Sequence, residues 1–284
     1  MKKYKIAFQG IQGAYSQEAL LEFGNKENIS IESIESFNFN ELFENIKKIG
    51  LGFVPIENSN AGTIIQVIDL FFDHDIEIIG EYYFKVNHCL LGKKGSSVRD
   101  LKRIYSHPQA LTQCSNFLDK KHLKAIPFAD TAASAKYIKE KGMKEEAAIG
   151  SMNLSEIYGL NVLSRKVQNS QKNVTRFFLV KKRGKKFYFE SKIKNKTDRK
   201  KTSLIFCARD LPGALYKTLG GFATNGVNLT KIESRPSQEK NFTYFFYIDF
   251  EGSLLDKSVV NSLDELRFFS KKIKILGTYP IEKN

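Results

Sequence analysis

Across residues 1–183, short apolar runs alternate with stretches of helical period, and this alternation limits the possible folds more than any other feature of the chain. YKIAF (4–8) reads as a strand, and GIQGAYSQEAL turns from it into a helix. A second helix spans 39–49, where Phe39, Leu42, Phe43, Ile46 and Ile49 keep the helical period. Gly50 and Gly52 end it, and LGFVPIE reads as a buried strand. Residues 62–73 are apolar on most sides, as a central helix is. IEIIG and YYFKVNHCLL follow as two strands, the second alternating Tyr82, Phe84, Val86, His88 and Leu90. KRIYS then precedes a helix at 108–121, KAIPFA one at 131–141, and AAIGS one at 152–158, before NVTRFFLV closes the series. Repeated βα units predict an α/β domain with mostly parallel sheets.

Residues 184–201 (GKKFYFESKIKNKTDRKK) break the rhythm and read as a charged linker. After them come TSLIFCA, a helix at 213–224, VNLTKIES, NFTYFFYIDF, a helix at 254–270, and IKILGTYP. That β-α-β-β-α-β order is the ferredoxin-like pattern of a separate α+β domain. A chain of 284 residues has room for both domains.

The net charge of +14 raises the question of nucleic acid. The excess is mostly lysine scattered over helix faces, concentrated at 181–201, without an arginine-rich recognition helix, zinc-finger spacing or aromatic RNP pattern. It reads as a solvated basic surface, with no nucleic acid partner. Cys89, Cys114 and Cys207 form no CxxC pair, which fits a reducing compartment. Gln9, Gly10, Gln12 and Gly13 interrupt any signal-peptide core, and no apolar run reaches a membrane span. A cytoplasmic location with no membrane association is expected. His74, His88, His107 and His122 lack metal-ligand spacing and read as structural or surface histidines, so no metal is expected. No GxSxG elbow is present, and Gly10 and Gly13 fit a tight βα turn as well as a dinucleotide loop.

Uncharged hydrogen-bonding side chains recur where strands give way to helices. Examples are Tyr15-Ser16, Glu57-Asn58-Ser59-Asn60, Ser106-His107-Pro108-Gln109 and Asp130-Thr131. Such junctions gather at the carboxyl ends of strands, where helix N-termini suit carboxylates. N-capping explains any one of them. It does not explain Gln109 and Gln113 within a helix, and together the junctions point to a small polar anion in a cleft. Thr175 and Arg176 at the start of NVTRFFLV are open to two readings, an exposed edge strand or contact with that anion. An ideal strand puts the two side chains on opposite faces.

Six motifs together make the first domain resemble prephenate dehydratases. They are GIQGAYS (10–16), VPIENSNAG (54–62), YSHPQALTQC (105–114), ADTAASA (129–135), AAIGS (147–151) and NVTRFF (173–178). RDLPGAL (209–215) and KIESRP (231–236) make the second domain resemble a phenylalanine-sensing ACT domain. The resemblance implies a two-lobed catalytic domain of periplasmic-binding-protein type II form over 1–183. Its first lobe would hold about 1–80 and 160–183, and its second 81–159. A basic linker at 184–200 and an ACT domain at 201–284 would follow. It implies cofactor-free loss of water and carbon dioxide from prephenate, giving phenylpyruvate, in a lyase of phenylalanine biosynthesis.

The same resemblance assigns site roles. Thr175 would donate to the departing hydroxyl, with Glu57 as a rival acid if burial raised its pKa. Asn58, Ser106 and Gln113 would complete the catalytic shell. Arg176 would pair with a substrate carboxylate, alongside Thr131, Tyr15, Ser16 and Ser59. Gly213, Ala214, Leu215, Asn228, Glu233, Ser234 and Arg235 would bind L-phenylalanine between ACT domains of a homodimer or homotetramer. Ile11 stands where the family often has proline, and Gly150 where alanine is usual. Two rivals are an arogenate dehydratase giving phenylalanine directly and a non-catalytic amino-acid sensor.

Overall fold

The computed structural model describes residues 3–236 and 244–282. In chain order the elements begin with β1 (Tyr4–Phe8), α1 (Tyr15–Glu27), β2 (Ile31–Ile34), α2 (Phe39–Ile49) and β3 (Leu51–Asn58). Next are β4 (Gly62–Thr63), α3 (Ile65–Asp73), β5 (Ile76–Lys85), β6 (Cys89–Gly92) and β7 (Arg103–Ser106). They continue through α4 (Pro108–Gln113), α5 (Ser115–Lys120), β8 (Lys124–Pro127), α6 (Thr131–Glu140) and β9 (Glu146–Gly150). Then come α7 (Asn153–Tyr158), β10 (Asn161–Arg165), β11 (Val174–Lys182), α8 (Glu190–Lys194) and β12 (Lys200–Ala208). The series ends with α9 (Ala214–Thr224), β13 (Leu229–Pro236), β14 (Tyr244–Glu251), α10 (Lys257–Phe269) and β15 (Ser270–Pro280).

Local chemistry sets many of these boundaries. Asn38 caps α2 by accepting from Glu41 N–H, while the Glu41 carboxylate accepts from Phe37 N–H, a reciprocal capping arrangement. Gly50 closes that helix in the left-handed region at φ 99°. Pro108 stands at the first position of α4, where a missing N–H costs nothing. Asp130 caps α6 by accepting from Ala133 N–H at 2.6 Å.

Three sheets form. One runs β2-β1-β3-β11-β5 with β4 paired to β3, one runs β10-β6-β9-β7-β8, and one runs β13-β14-β12-β15. β1 is parallel to β2 and β3, as the βα repeat predicts. The second sheet is mixed instead. β7 is parallel to β8 and β9, but β6 runs antiparallel to β9 and to β10, a strand without counterpart in the sequence reading. IEIIG and YYFK merge into the single strand β5, and the predicted helix 108–121 divides around Cys114. The predicted start of α3 at 62 is taken by β4, so the helix begins at Ile65.

By contacts the chain forms two compact units, Met1–Ile64 with Tyr83–Phe177, and Ile65–Tyr82 with Phe178–Asn284. In the first unit Phe53 and Phe177 stack at 4.8 Å between β3 and β11. Leu90, Ile104, Leu111, Cys114, Ala147 and Ile149 form the core of its second sheet. Burial pushes the Cys114 thiol up to about 12, so it packs as an apolar group.

The second unit contains the β12-α9-β13-β14-α10-β15 order of the ferredoxin-like fold. Leu204, Phe206, Phe222, Ile248, Phe250 and Leu266 fill its core. Strand β14 begins at Tyr244, and residues 241–243 of the predicted NFTYFFYIDF strand lie outside the described residues. The segment read as a linker is not merely a tether. It carries α8, buries Phe189 and Ile193, and supplies Glu190, which accepts from the buried Lys181 at 2.7 Å. Gly277 of β15 approaches β5 so closely that a Cβ there would lie 2.1 Å from the Ile78 carbonyl oxygen. Gly277→Ala is therefore expected to lower stability by about 3 kcal/mol or more, read from chemical denaturation.

Candidate active site

A cavity of about 420 Å³ opens in the first unit, within the usual size range of small-ligand sites. The turn after β1 brings Gln9 and Gly10 to it, and the first turn of α1 brings Tyr15 and Ser16. The β3–α3 connection adds Asn58 and Ala61–Ile64. From the other sheet come His107, Gln109 and Gln113 around α4, and Asp130 and Thr131 at the start of α6. Thr175 and Phe177 of β11 and Val86 and His88 complete the wall. No lysine or arginine stands among the described residues that line it.

Behind this wall a hydrogen-bond chain joins both sheets of the unit. The Asn58 side-chain carbonyl accepts from the backbone N–H groups of Asn60 and Ala61 at 3.0 and 3.1 Å. Its amide nitrogen donates to Asn173 Oδ1 at 2.8 Å and to Thr175 Oγ1 at 3.0 Å. Asn173 Nδ2 donates in turn to Gln113 Oε1 at 2.8 Å. Gln113 Oε1 lies 2.9 Å from His88 Nε2, and His88 Nδ1 lies 2.8 Å from the Tyr15 hydroxyl oxygen. That hydroxyl is also 2.8 Å from the Asn87 carbonyl oxygen. Burial pushes the Tyr15 pKa well up, with the Glu18 carboxylate adding to the rise. Burial also lowers the His88 pKa, so the ring is neutral at pH 7, and it lowers that of His107 despite the opposing Asp130 charge.

Of the ten residues expected to handle substrate, six line the cavity and a seventh supports it. Thr175, Asn58, Gln113, Tyr15, Ser16 and Thr131 line the cavity. The seventh, Ser59, serves it from outside, exchanging bonds with Val174 N–H and the Lys172 carbonyl to pin the start of β11. Arg176 does not line the cavity although Thr175 and Phe177 on either side of it do. Strand alternation places its buried guanidinium on the other face, which corrects the expected carboxylate contact. Glu57 is displaced by the same alternation, since Asn58 takes the cavity-facing position next to it. Ser106 is fully buried and donates to the Ile149 carbonyl at 2.7 Å, tying β7 to β9 rather than meeting a ligand.

His88, which lines the cavity, and Asn173, which sits behind it, join this network without having been expected as site residues. His88 was visible as a polar residue in phase with Tyr82, Phe84 and Val86 on an inward-facing run. Asn173 is fully buried and opens the NVTRFF motif just before β11, without any periodic signal of its own.

In the second unit Gly213 precedes α9 at φ 68°, with Ala214 and Leu215 opening the helix. Asn228 lies exposed before β13, and Glu233 and Ser234 lie along β13, an edge strand of its sheet. Arg235 is already engaged. Its guanidinium makes a two-pronged contact with Asp69 of α3 through Nε and Nη2, at 2.9 and 3.0 Å, which occupies one edge of its donor fork.

Residues 6–185 match the family model described as prephenate dehydratase, and residues 202–268 match that of the ACT domain. Arogenate dehydratase 2 of Petunia hybrida is 38% identical, covering 98% of this chain and 72% of that protein. The solved prephenate dehydratase of Arthrobacter aurescens in complex with L-Phe superposes with a TM-score of 0.85 at 31% identity, over 98% of this chain and 90% of that one. A solved chain described as GqqA, a novel type of quorum quenching acylase, superposes with a TM-score of 0.84 at 33% identity, over 98% of both chains.

Proposed function

Because the chain belongs to the prephenate dehydratase family and carries an ACT domain, we propose that its cavity converts prephenate to phenylpyruvate, with L-phenylalanine as effector. The reaction is a decarboxylative dehydration by a hydro-lyase. The electron pair of the breaking C–CO₂ bond enters the ring, the opposite C–O bond breaks, and the hydroxide departs as water after taking up one proton. Carbon dioxide, water and an aromatic ring result.

The observation that carries this reading is the state of Thr175. Its oxygen accepts from Asn58 while its side chain lines the cavity. Its own hydrogen is therefore left to donate toward a ligand, where it stabilises the charge growing on the leaving oxygen. A threonine hydroxyl is too weak an acid to surrender a proton outright, so Thr175 acts as a hydrogen-bond donor and the neutralising proton reaches the leaving oxygen from another source. With no lysine or arginine among the described lining residues, the two carboxylates meet neutral donors and the N-terminal ends of α1 and α6, at Ser16 and Thr131. Incubation of the purified protein with prephenate should release phenylpyruvate and carbon dioxide in equal amounts. Absence of turnover under conditions where the protein is folded would remove the assignment.

A second reading, turnover of arogenate to phenylalanine, has one specific observation behind it. Asp130 is a carboxylate on a cavity wall without lysine or arginine, a combination that accommodates an ammonium group. The ratio of kcat/KM for the two substrates decides between them.

The domain limits at 183 and 201 belong to the same proposal, supported by family matches that end at residue 185 and begin at residue 202. So does self-association through the ACT domain. The exposed Leu215, Tyr216 and Ile232 near the start of α9 and on edge strand β13 support a second copy as partner. No helix among the described residues is long and apolar enough to cross a membrane, and a reducing, cytoplasmic setting fits the three free cysteines. Gly213→Val forces a β-branched residue into the left-handed region. It is expected to raise the L-phenylalanine concentration for half-maximal response by roughly tenfold with kcat unchanged, as is Ser234→Ala to a smaller degree. An unchanged response in both variants would place the effector elsewhere.

A further inference from the structure

Resting on the proposed dehydration, we propose that His88 is a positioning residue, held as its Nε2–H tautomer by a relay of amides whose direction is set by two backbone N–H groups. The direction can be followed bond by bond. The N–H groups of Asn60 and Ala61 can only donate, so the oxygen of the Asn58 amide must face them. The Asn58 nitrogen then faces Asn173 and Thr175, and has hydrogens for both. Asn173 must present its oxygen to Asn58, which leaves its nitrogen to donate to Gln113. The Gln113 carbonyl oxygen is thereby turned toward His88, and only an Nε2–H can satisfy that contact. Nδ1 is left with a lone pair facing the Tyr15 hydroxyl, whose single hydrogen is shared between Nδ1 and the Asn87 carbonyl oxygen, each at 2.8 Å.

Nothing in this sequence can be reversed without leaving the Asn60 and Ala61 N–H groups facing a donor. The His88 backbone is held as well. The Gln168 side-chain carbonyl accepts from His88 N–H at 3.0 Å, and the His88 carbonyl accepts from Val167 N–H at 3.0 Å. His88 therefore gives Gln113 Oε1 a second donor beside Asn173 Nδ2 and steadies the amide, with the Gln113 nitrogen 3.5 Å from Asn58 Oδ1 at the cavity wall. Without an Nε2–H donor, Gln113 keeps only the Asn173 bond to hold its amide, and its side chain is less firmly anchored at the cavity wall. The lowered His88 pKa is consistent with a neutral ring.

The test has a spectroscopic arm and a kinetic arm. In ¹⁵N-histidine NMR of the full chain without substrate, His88, assigned by comparison with His88→Gln, is expected as the neutral Nε2–H tautomer. Asn173→Asp puts an acceptor opposite Gln113, which must turn its nitrogen toward both Asp and His88. His88 is then expected to switch to Nδ1–H, donating to Tyr15, whose hydroxyl turns to the Asn87 carbonyl. A wild-type Nδ1–H tautomer, or a folded Asn173→Asp protein whose His88 stays Nε2–H, overturns the relay. If Asn173→Asp does not fold, the wild-type spectrum still decides. Because no substrate is present, these spectra hold or fail independently of which reaction the cavity performs.

In kinetics, His88→Asn is expected to lower kcat by about 10²-fold with little change in KM, since its amide cannot reach the Nε2 position. His88→Gln places a nitrogen near that position and is expected to recover most of the loss. Equal losses in the two variants would reduce His88 to a packing residue.

Discussion

Thr175→Ala is expected to lower kcat by about 10²- to 10³-fold while KM moves by no more than a few-fold, because its bond to the departing oxygen strengthens as charge develops. Thr175→Ser keeps the hydroxyl and should retain activity within roughly tenfold. The Thr175 hydroxyl accepts from Asn58, and serine can do the same once its extra rotamers are paid for in entropy. Steady-state kinetics on prephenate with both variants checks the pair. Wild-type turnover in the alanine variant would take Thr175 out of the mechanism, whatever else lines the cavity.

The largest expected effect on stability lies in the second unit, at Lys201 of β12. Its ammonium reaches the Glu81 carboxylate of β5 at 3.2 Å, and the side chains are 8% and 0% exposed. Glu282 N–H also donates to the same carboxylate at 3.2 Å. Lys201→Met removes the cation from a fully buried anion and is expected to destabilise the protein by about 3–5 kcal/mol. Replacing both partners, Lys201→Met with Glu81→Leu, should recover most of that loss, because two apolar groups avoid the desolvation penalty altogether. Denaturant titration of the two variants separates these outcomes. A double variant no better than the single one would show that the carboxylate is needed for its backbone contact instead.

The sequence made the fold legible where period and turn chemistry agree. The helical period of Phe39, Leu42, Phe43 and Ile46 and the glycine after Ile49 located α2 to the residue. It was less informative about strand direction, since β6 and β10 are paired by contacts far apart in the chain and run against the βα rhythm. The basic stretch at 184–201 looked like a tether because its lysines dominate its composition. Its buried groups, Phe189, Glu190 and Ile193, take their meaning only from what packs against them. At the site, the motifs located the correct segments but not the facing of each side chain. Alternation told that Thr175 and Arg176 diverge, and the structure decided which one faces the cavity. Ser106 and Glu57 sit in the right motifs with the wrong phase. His88 was weighed as a metal ligand and set aside, because its value lies in a bond partner twenty-five residues away in sequence.

The cavity wall without lysine or arginine has a consequence for product release. Prephenate enters with two carboxylates, and turnover destroys one of them. On the proposed reaction, the donors that meet the ring carboxylate are then left facing neutral carbon dioxide and an aromatic ring, and among the described residues no ammonium or guanidinium on the wall retains the remaining charge. The chemistry itself is thus expected to weaken the hold on what it makes.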